Sequence, residues 1–195
     1  MREDIKLQIL KNLLLEVTKK YDEFIEAQEE RLKETFEKAT KDGLTGIYNR
    51  IYFEDIVNRK ILKAKRDKSS FFIVFIDLDN FKYVNDNYGH EVGDKVLKEV
   101  VKIIKDNIRE YDILARYGGD EFVLFIEDIS EKEVKQILKR IVSLVEEKSN
   151  IFNNSLSFGI SKFLDDGDNL KTLLKVADKR MYEQKINKKI KQELL

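Results

Sequence analysis

From Phe71 to Asp79 the chain reads Phe-Phe-Ile-Val-Phe-Ile-Asp-Leu-Asp, an unbroken apolar run closed by two carboxylates. A strand turns successive side chains to opposite faces, so a run that is apolar at every position reads as a buried strand with cover on both sides. The remaining periodicities arrange themselves around it. A helical stretch spans about Tyr52 to Lys65, and a polar turn with a short helix follows Asp79. Leu97, Val100, Val101, Ile104 and Ile108 mark one face of a helix, as do Val134, Ile137, Leu138, Ile141 and Leu144, and later Leu170, Leu173, Leu174, Ala177 and Met181. Between the first two of these, DILARYGGDEFVLFIE reads as two strands joined by a Gly-Gly or Gly-Asp hairpin turn, and SLSFGIS alternates like a half-buried strand. Middle strands joined by a tight turn fit a regular parallel sheet less well than an antiparallel or mixed one. The spacing predicts an α+β fold with an antiparallel or mixed sheet and helices on one or both faces.

Ahead of this core, Met1 to Thr40 contains no glycine or proline. Leu10, Leu14, Val17, Tyr21 and Phe24 follow alternating steps of four and three, the seam of a coiled coil. Ile25, Leu32, Phe36 and Ala39 continue the pattern one position later, as a stutter would produce. Gly43 and Gly46 must end that helix, which divides the chain into a helix over 1–40 and a domain over 41–195. A helix packed on its own domain is the alternative to a dimerising one. With 37 basic and 37 acidic side chains the net charge is zero, so the basic surplus of a nucleic-acid binder is missing. No apolar run approaches the roughly 18 residues of a membrane span, and charges interrupt any signal-peptide core near the N-terminus. Cysteine is absent, as a reducing compartment permits. The expectation is a soluble, cytoplasmic protein with no nucleic-acid partner and no membrane insertion.

The chemistry gathers at strand ends. Asp77 and Asp79 close the apolar run, and Asp120 and Glu121 stand at the Gly-Gly turn before FVLFI. If the two strands are neighbours, carboxylates from both converge at one edge of the sheet, a donor set suited to a divalent cation holding a phosphate substrate. A plain hairpin aspartate is the competing role for Asp120. Gly118 and Gly119 leave backbone bare for a nucleotide, and Asn80, Phe81 and Lys82 open a helix whose amides, with the Lys82 ammonium, suit phosphate oxygens. Asn85 and Asp94 are a pair able to read a purine edge, although Asp94 also stands where a helix N-cap belongs. The single histidine, His90, lies between Gly89 and Glu91 as a turn residue or a substrate contact.

In order and spacing, DGLT with GIYNR, IDLDNFKYVNDNYGHEVGD, RYGGDEF, SFGIS and ADKRMYEQK resemble the GGDEF domain of bacterial diguanylate cyclases over about Lys41 to Lys189. The resemblance implies a fold like the nucleotidyl cyclases and the polymerase palm, a mostly antiparallel sheet surrounded by helices. It implies condensation of two GTP into cyclic di-GMP with loss of two pyrophosphates, using magnesium or manganese. Asp77, the carbonyl of Leu78 and Asp120 correspond to the metal ligands, and Asp120 or Glu121 to the group that assists deprotonation of the attacking hydroxyl. Asn85 and Asp94 correspond to the guanine readers, Asn80 to Lys82 to the triphosphate contacts, and Lys185 and Lys189 to a basic pair at the final helix and just after it. Where the family usually has Gly-Arg-Asn, this chain has Lys188-Lys189-Ile190, so a lysine replaces a bidentate arginine.

Arg109-Glu110-Tyr111-Asp112 ends five residues short of Gly118 and matches the family's RxxD product-inhibition site, with Arg140 as a possible helper. Arginine pairs with phosphate and stacks on guanine, whereas the competing role is a surface pair at a helix end. One site holds one GTP, so the resemblance also implies a homodimer in which the 1–40 helix brings two domains together. Two other readings compete: a silent module that binds cyclic di-GMP or GTP as a sensor, and a structural dimerisation unit.

Overall fold

The protein is described by a computed structural model covering residues 1–148 and 154–193, so residues 149–153 and 194–195 of the expected 41–195 domain lie outside the described residues. It divides into two compact units, Met1–Ala39 and Thr40–Leu195. The first is one helix, α1 (Arg2–Thr40), whose Leu10, Leu14, Val17, Tyr21 and Phe24 are all exposed. None of the helices described is long and apolar enough to cross a membrane.

In the second unit the elements run β1 (Tyr48–Asn49), α2 (Arg50–Asp67), β2 (Phe71–Leu78), α3 (Phe81–Tyr88), α4 (His90–Asn107), β3 (Ile113–Arg116), β4 (Glu121–Glu127), α5 (Glu131–Lys148), β5 (Leu156–Lys162) and α6 (Leu170–Glu193). The sheet order is β1-β3-β4-β2-β5. All pairs are antiparallel except β1 with β3, so the sheet is mixed. β2 lies between β4 and β5, and every one of its residues is buried, as its apolar run demands. Its even positions, Phe72, Val74, Ile76 and Leu78, pack with α4 and α5, and Phe71, Ile73 and Phe75 pack with α2 and α6.

Local chemistry sets the helix ends. The Asn49 carboxamide accepts from the amide of Tyr52 at 2.9 Å to start α2, and Lys68 in the left-handed region ends it. Ser130 and Glu133 form a capping box at α5, with the Glu133 carboxylate accepting from the Ser130 amide at 2.9 Å and its hydroxyl at 2.6 Å.

Three expectations change. The β3–β4 connection is a four-residue loop, Tyr117 to Asp120, with the amides of Tyr117 and Gly118 both donating to the carbonyl of Glu121. β5 is not half-buried in the phase its apolar residues suggest: Ser157, Gly159 and Ser161 are buried beneath α6, whereas Phe158 and Ile160 are only partly covered. Small residues on that face let the helix come close. A Cβ on Gly159 would lie 2.0 Å from the carbonyl oxygen of Ala177 and 2.4 Å from the amide nitrogen of Met181. Asp94 lies within α4, whose N-cap is Gly89, so capping does not explain it.

Candidate functional site

The register of the sheet gathers the acids. Asp77 on β2 stands opposite Glu121 on β4 and Ser157 on β5, so the three share one face at one end of the sheet. Asp120 precedes Glu121, and its carbonyl accepts from the amide of Leu78 at 3.2 Å, which holds the turn against the end of β2. Burial pushes the Asp120 carboxyl above the usual range, and the charge of Asp77 adds to the effect. Glu121 is raised in the same way, by burial first and then by Asp77, Asp120 and Asp178.

Positive charge comes from α6. Lys185 donates to Asp77, and Lys188 lies 3.0 Å from Asp79. Burial opposes the Lys185 ammonium, but its hydrogen bond to Asp77 and the charges of Asp77, Asp79 and Asp120 outweigh it and raise its pKa. These lysines are the compensation that Asp77 and Asp79, at 7% and 9% exposure, require. The chain carries them more than a hundred positions away, so nothing near the strand announces them.

Between α6 and α3 lies an open cleft of about 840 Å³. It brings together Leu78, Asn80, Phe81, Lys82, Asp120, Lys185 and Lys189 from the expected set. α6 runs on to Glu193, so Lys189 is part of the helix rather than the residue after it. Gly118 and Gly119 line a separate shallow depression with Asp42, Arg50 and Arg116. There Arg116 donates to the carbonyl of Gly119 at 2.7 Å and pairs with Asp42 at 3.1 Å. The Glu121 carboxylate folds over Gly118, while a Cβ on Gly119 would meet only open space.

Asn85, His90 and Asp94 lie outside the cleft lining, on α3 and α4. His90 is exposed at the first position of α4. Asn85 rests on Gly93, where an added Cβ would sit 2.0 Å from its Oδ1 and 3.2 Å from Cζ of Phe81. Gly93 thus brings the Asn85 carboxamide to the residue next to Asp94, a role that the sequence reading left unassigned. Alanine is worth about 1 kcal/mol more than glycine inside a helix. Gly93→Ala is therefore expected to leave the melting temperature unchanged or higher while turning Asn85 aside. If Asn85 reads the guanine edge that the family resemblance implies, the affinity for a guanine nucleotide falls about tenfold, a loss of the order of one hydrogen bond; an affinity within twofold of wild type would remove Asn85 from that role.

The RxxD residues occupy the α4–β3 turn. Asp112 is buried and accepts from the amide of Arg109 at 2.8 Å through Oδ2, while its Oδ1 has no partner among the described residues. Burial raises its pKa. Arg109 donates to the Tyr111 hydroxyl at 2.7 Å, so the arginine and aspartate side chains are not an ion pair with each other. Arg109 and Arg140 share a shallow depression with Glu133 and Ile137.

No three acidic or histidine side chains among the described residues form a metal cage on their own. Magnesium seldom uses one; it binds through one or two carboxylates and completes its shell with water and substrate phosphates. Asp77 and Asp120, with the carbonyl of Leu78, a residue of the cleft wall, fit that donor set, and the raised pKa of Asp120 and Glu121 comes from burial first and from the charge of Asp77 second.

Residues 39–191 match the family described as the GGDEF domain of diguanylate cyclases. Diguanylate cyclase A of Treponema denticola is 36% identical over 159 residues, which cover 77% of this chain and 43% of the relative. The bifunctional diguanylate cyclase/cyclic di-GMP phosphodiesterase MucR of Pseudomonas aeruginosa is 38% identical over 157 residues, 78% of this chain and 23% of the relative. The chain thus spans less than half the length of these curated relatives. Among solved structures, the coiled coil and GGDEF domain of DgcB from Caulobacter crescentus, in complex with c-di-GMP, superposes with a TM-score of 0.77 at 25% identity, covering 91% of this chain and 95% of that one. A GGDEF domain from Pseudomonas aeruginosa gives a TM-score of 0.70 at 32% identity, covering 75% and 89%. The sheet order, the acids at the ends of β2 and β4 and the matched residues agree: this chain belongs to the GGDEF-domain diguanylate cyclase family.

Proposed function

We propose that the protein condenses two molecules of GTP into cyclic di-GMP, with release of two pyrophosphates, using magnesium or manganese. The observation that carries the reading is the gathering of three acids at one end of the sheet: the register sets Asp77 opposite Glu121, and Asp120 beside them lines one cleft with the start of α3 and with Lys185, which donates to Asp77. Asp77, Asp120 and the Leu78 carbonyl would hold the cation, which when bound neutralises charge developing on the reacting phosphoryl oxygens. Asn80, Phe81 and Lys82 would orient the triphosphate at the start of α3, with Lys185 and Lys189 across from them. Gly118 and Gly119 would let the nucleotide approach, Asn85 and Asp94 would read guanine, and His90 would contact substrate at the edge.

In each half-reaction the 3′-oxygen of one GTP bonds to the α-phosphorus of the other, and the bond from that phosphorus to the bridging oxygen breaks as pyrophosphate leaves. Glu121 or Asp120 takes the hydroxyl proton. Burial, with the charge of Asp77, raises the proton affinity of both carboxyls above the usual carboxylate range, the direction that favours a general base. Closing the ring requires the step twice, with two domains face to face. The 1–40 helix serves as the dimerising and signalling element, since a second copy would cover its exposed apolar stripe and raise the local concentration of one domain at the other. Product in excess would bind at Arg109 and Asp112, assisted by Arg140, and inhibit.

The test is incubation of nucleotide-free protein with GTP and magnesium over a range of protein concentrations, with products identified by mass spectrometry. Cyclic di-GMP is expected, with a rate that rises faster than protein concentration. Progress curves that slow as product accumulates are expected to straighten in Arg109→Ala. Intact GTP from folded, dimeric protein would leave a module that binds cyclic di-GMP without making it.

A further inference from the structure

Lys188, at the cleft, has no place among the expected contacts. Lys188 follows Lys185 by three positions on α6, so the two ammonium groups leave the helix on neighbouring sides. An ammonium has three N–H bonds, and all three of Lys188 are used: the Asp79 carboxylate at 3.0 Å, the Ser155 hydroxyl at 3.1 Å and the Leu156 carbonyl at 2.6 Å. A lysine so saturated has no donor left for a phosphate. Its work is on Asp79, which also accepts from the Ser157 hydroxyl at 2.8 Å and 3.0 Å through its two oxygens, and whose amide donates to the Ser155 carbonyl at 2.9 Å. Asp79 is thereby fixed on every side, two residues beyond Asp77 and immediately before the turn into α3.

We propose that Lys188 is a positioning residue: it acts as the internal counter-ion of Asp79, keeping that carboxylate out of the cation site of Asp77, Asp120 and Leu78 and fixing the backbone that leads to Asn80–Lys82. The inference rests on the reading of this cleft as a metal-dependent nucleotide site. Asp79 is close enough for its charge to act on the Lys185 ammonium beside Asp77 and Asp120. Without Lys188 it is a buried carboxylate in need of a positive charge, and a divalent cation at Asp77 is the one that oxygen donors would recruit. An additional carboxylate would bind the cation more tightly but pull it from the place where Asp120 and the phosphates need it.

The experiment titrates the whole chain with Mn²⁺ alone, without nucleotide, and reads free Mn²⁺ by electron paramagnetic resonance. Lys188→Met is expected to bind Mn²⁺ about tenfold more tightly than wild type while turning over GTP about tenfold more slowly, on the scale of one displaced electrostatic contact. Lys191→Met, which removes another lysine of the cleft wall, controls for simple loss of charge and is expected to change Mn²⁺ affinity less than twofold. Asp79→Asn combined with Lys188→Met is expected to return Mn²⁺ affinity to within twofold of wild type. A lysine that merely braces the helix would give Lys188→Met a lower melting temperature with equal or weaker Mn²⁺ binding, and that result overturns the proposal. Wild type that binds Mn²⁺ and makes cyclic di-GMP confines the failure to Lys188; wild type that does neither removes the reading of the cleft as well.

Discussion

Asp120→Asn is expected to fold as wild type and to lose cyclic di-GMP synthesis by about 10³-fold, the effect of removing a preorganised electrostatic contact from a reacting centre. The substitution keeps the shape of the side chain and leaves the carbonyl of residue 120 to accept from the Leu78 amide, so the turn has no reason to move. It removes a carboxylate whose pKa is raised by burial and by the neighbouring charge of Asp77, a sign that its charge is held at a cost. Stability is therefore expected to stay level or rise, the usual relation between a functional acid cluster and the fold that carries it. Asp77 and Glu121 each lose a repelling neighbour once residue 120 is neutral, and what is lost is one of the two carboxylates proposed to hold the cation. The check pairs product formation with a melting curve on the same preparation. A variant that keeps more than a tenth of wild-type turnover would remove Asp120 from the cation site, and one that melts much lower would show that the turn needs the charge.

Where a residue's neighbours in the chain are also its neighbours in space, the sequence announces the structure. The apolar run of β2 needs cover on both faces and has it, and the helical faces of α4, α5 and α6 are buried as their spacing indicates, apart from Ile137 and Leu144, which are partly covered, and Ile108, which is partly covered and stands just past the end of α4. Asp120 and Glu121 beside Gly118 and Gly119 were legible because a turn keeps them together. β1 was not: it has two residues, too few to show a period, and exists because β3 offers it an edge. In the sequence Lys188 is only the first residue of a departure from the family pattern, since its partners Asp79, Ser155 and Leu156 are brought to it by the sheet. Its one local signal was its three-residue spacing from Lys185. Nothing beside Gly93 in the chain signals that the Asn85 side chain lies on it, because the contact runs between α3 and α4. Arg109 and Asp112 were legible as a motif, but the hydrogen bond from Arg109 to Tyr111 and the burial of Asp112 depend on how the turn closes.

β5 shows how far an alternating pattern can mislead, and it leads to the largest stability effect. Periodicity assigns Phe158 and Ile160 to the core and Ser157, Gly159 and Ser161 to solvent, because it weighs polarity alone. Size decides here. α6 lies so close over Gly159 that a single methyl group would meet the backbone of Ala177 and Met181 and come within 2.9 Å of Cβ of Arg180. Backbone cannot turn aside as a side chain does, so Gly159→Ala must lift the helix away from the sheet. That movement loosens Leu173, Leu174, Ala177 and Met181, the residues through which α6 closes its face of the core. Overpacking commonly costs about 1–3 kcal/mol, and contact with backbone places this site at about 3 kcal/mol or above. In a domain of this size each kcal/mol is about 2–4 °C, so the melting temperature is expected to fall by about 6–12 °C. Gly43, where an added Cβ has nothing within 4 Å and the backbone is unstrained, supplies the control: Gly43→Ala is expected to melt as wild type. The same displacement draws Lys185 from Asp77 and Lys188 from Asp79, so the folded fraction of Gly159→Ala is expected to be slow as well as less stable. A variant within 1 °C of wild type would mean that α6 can shift along the sheet without loss, and its two lysines would then have to be fixed by something other than the packing beneath them.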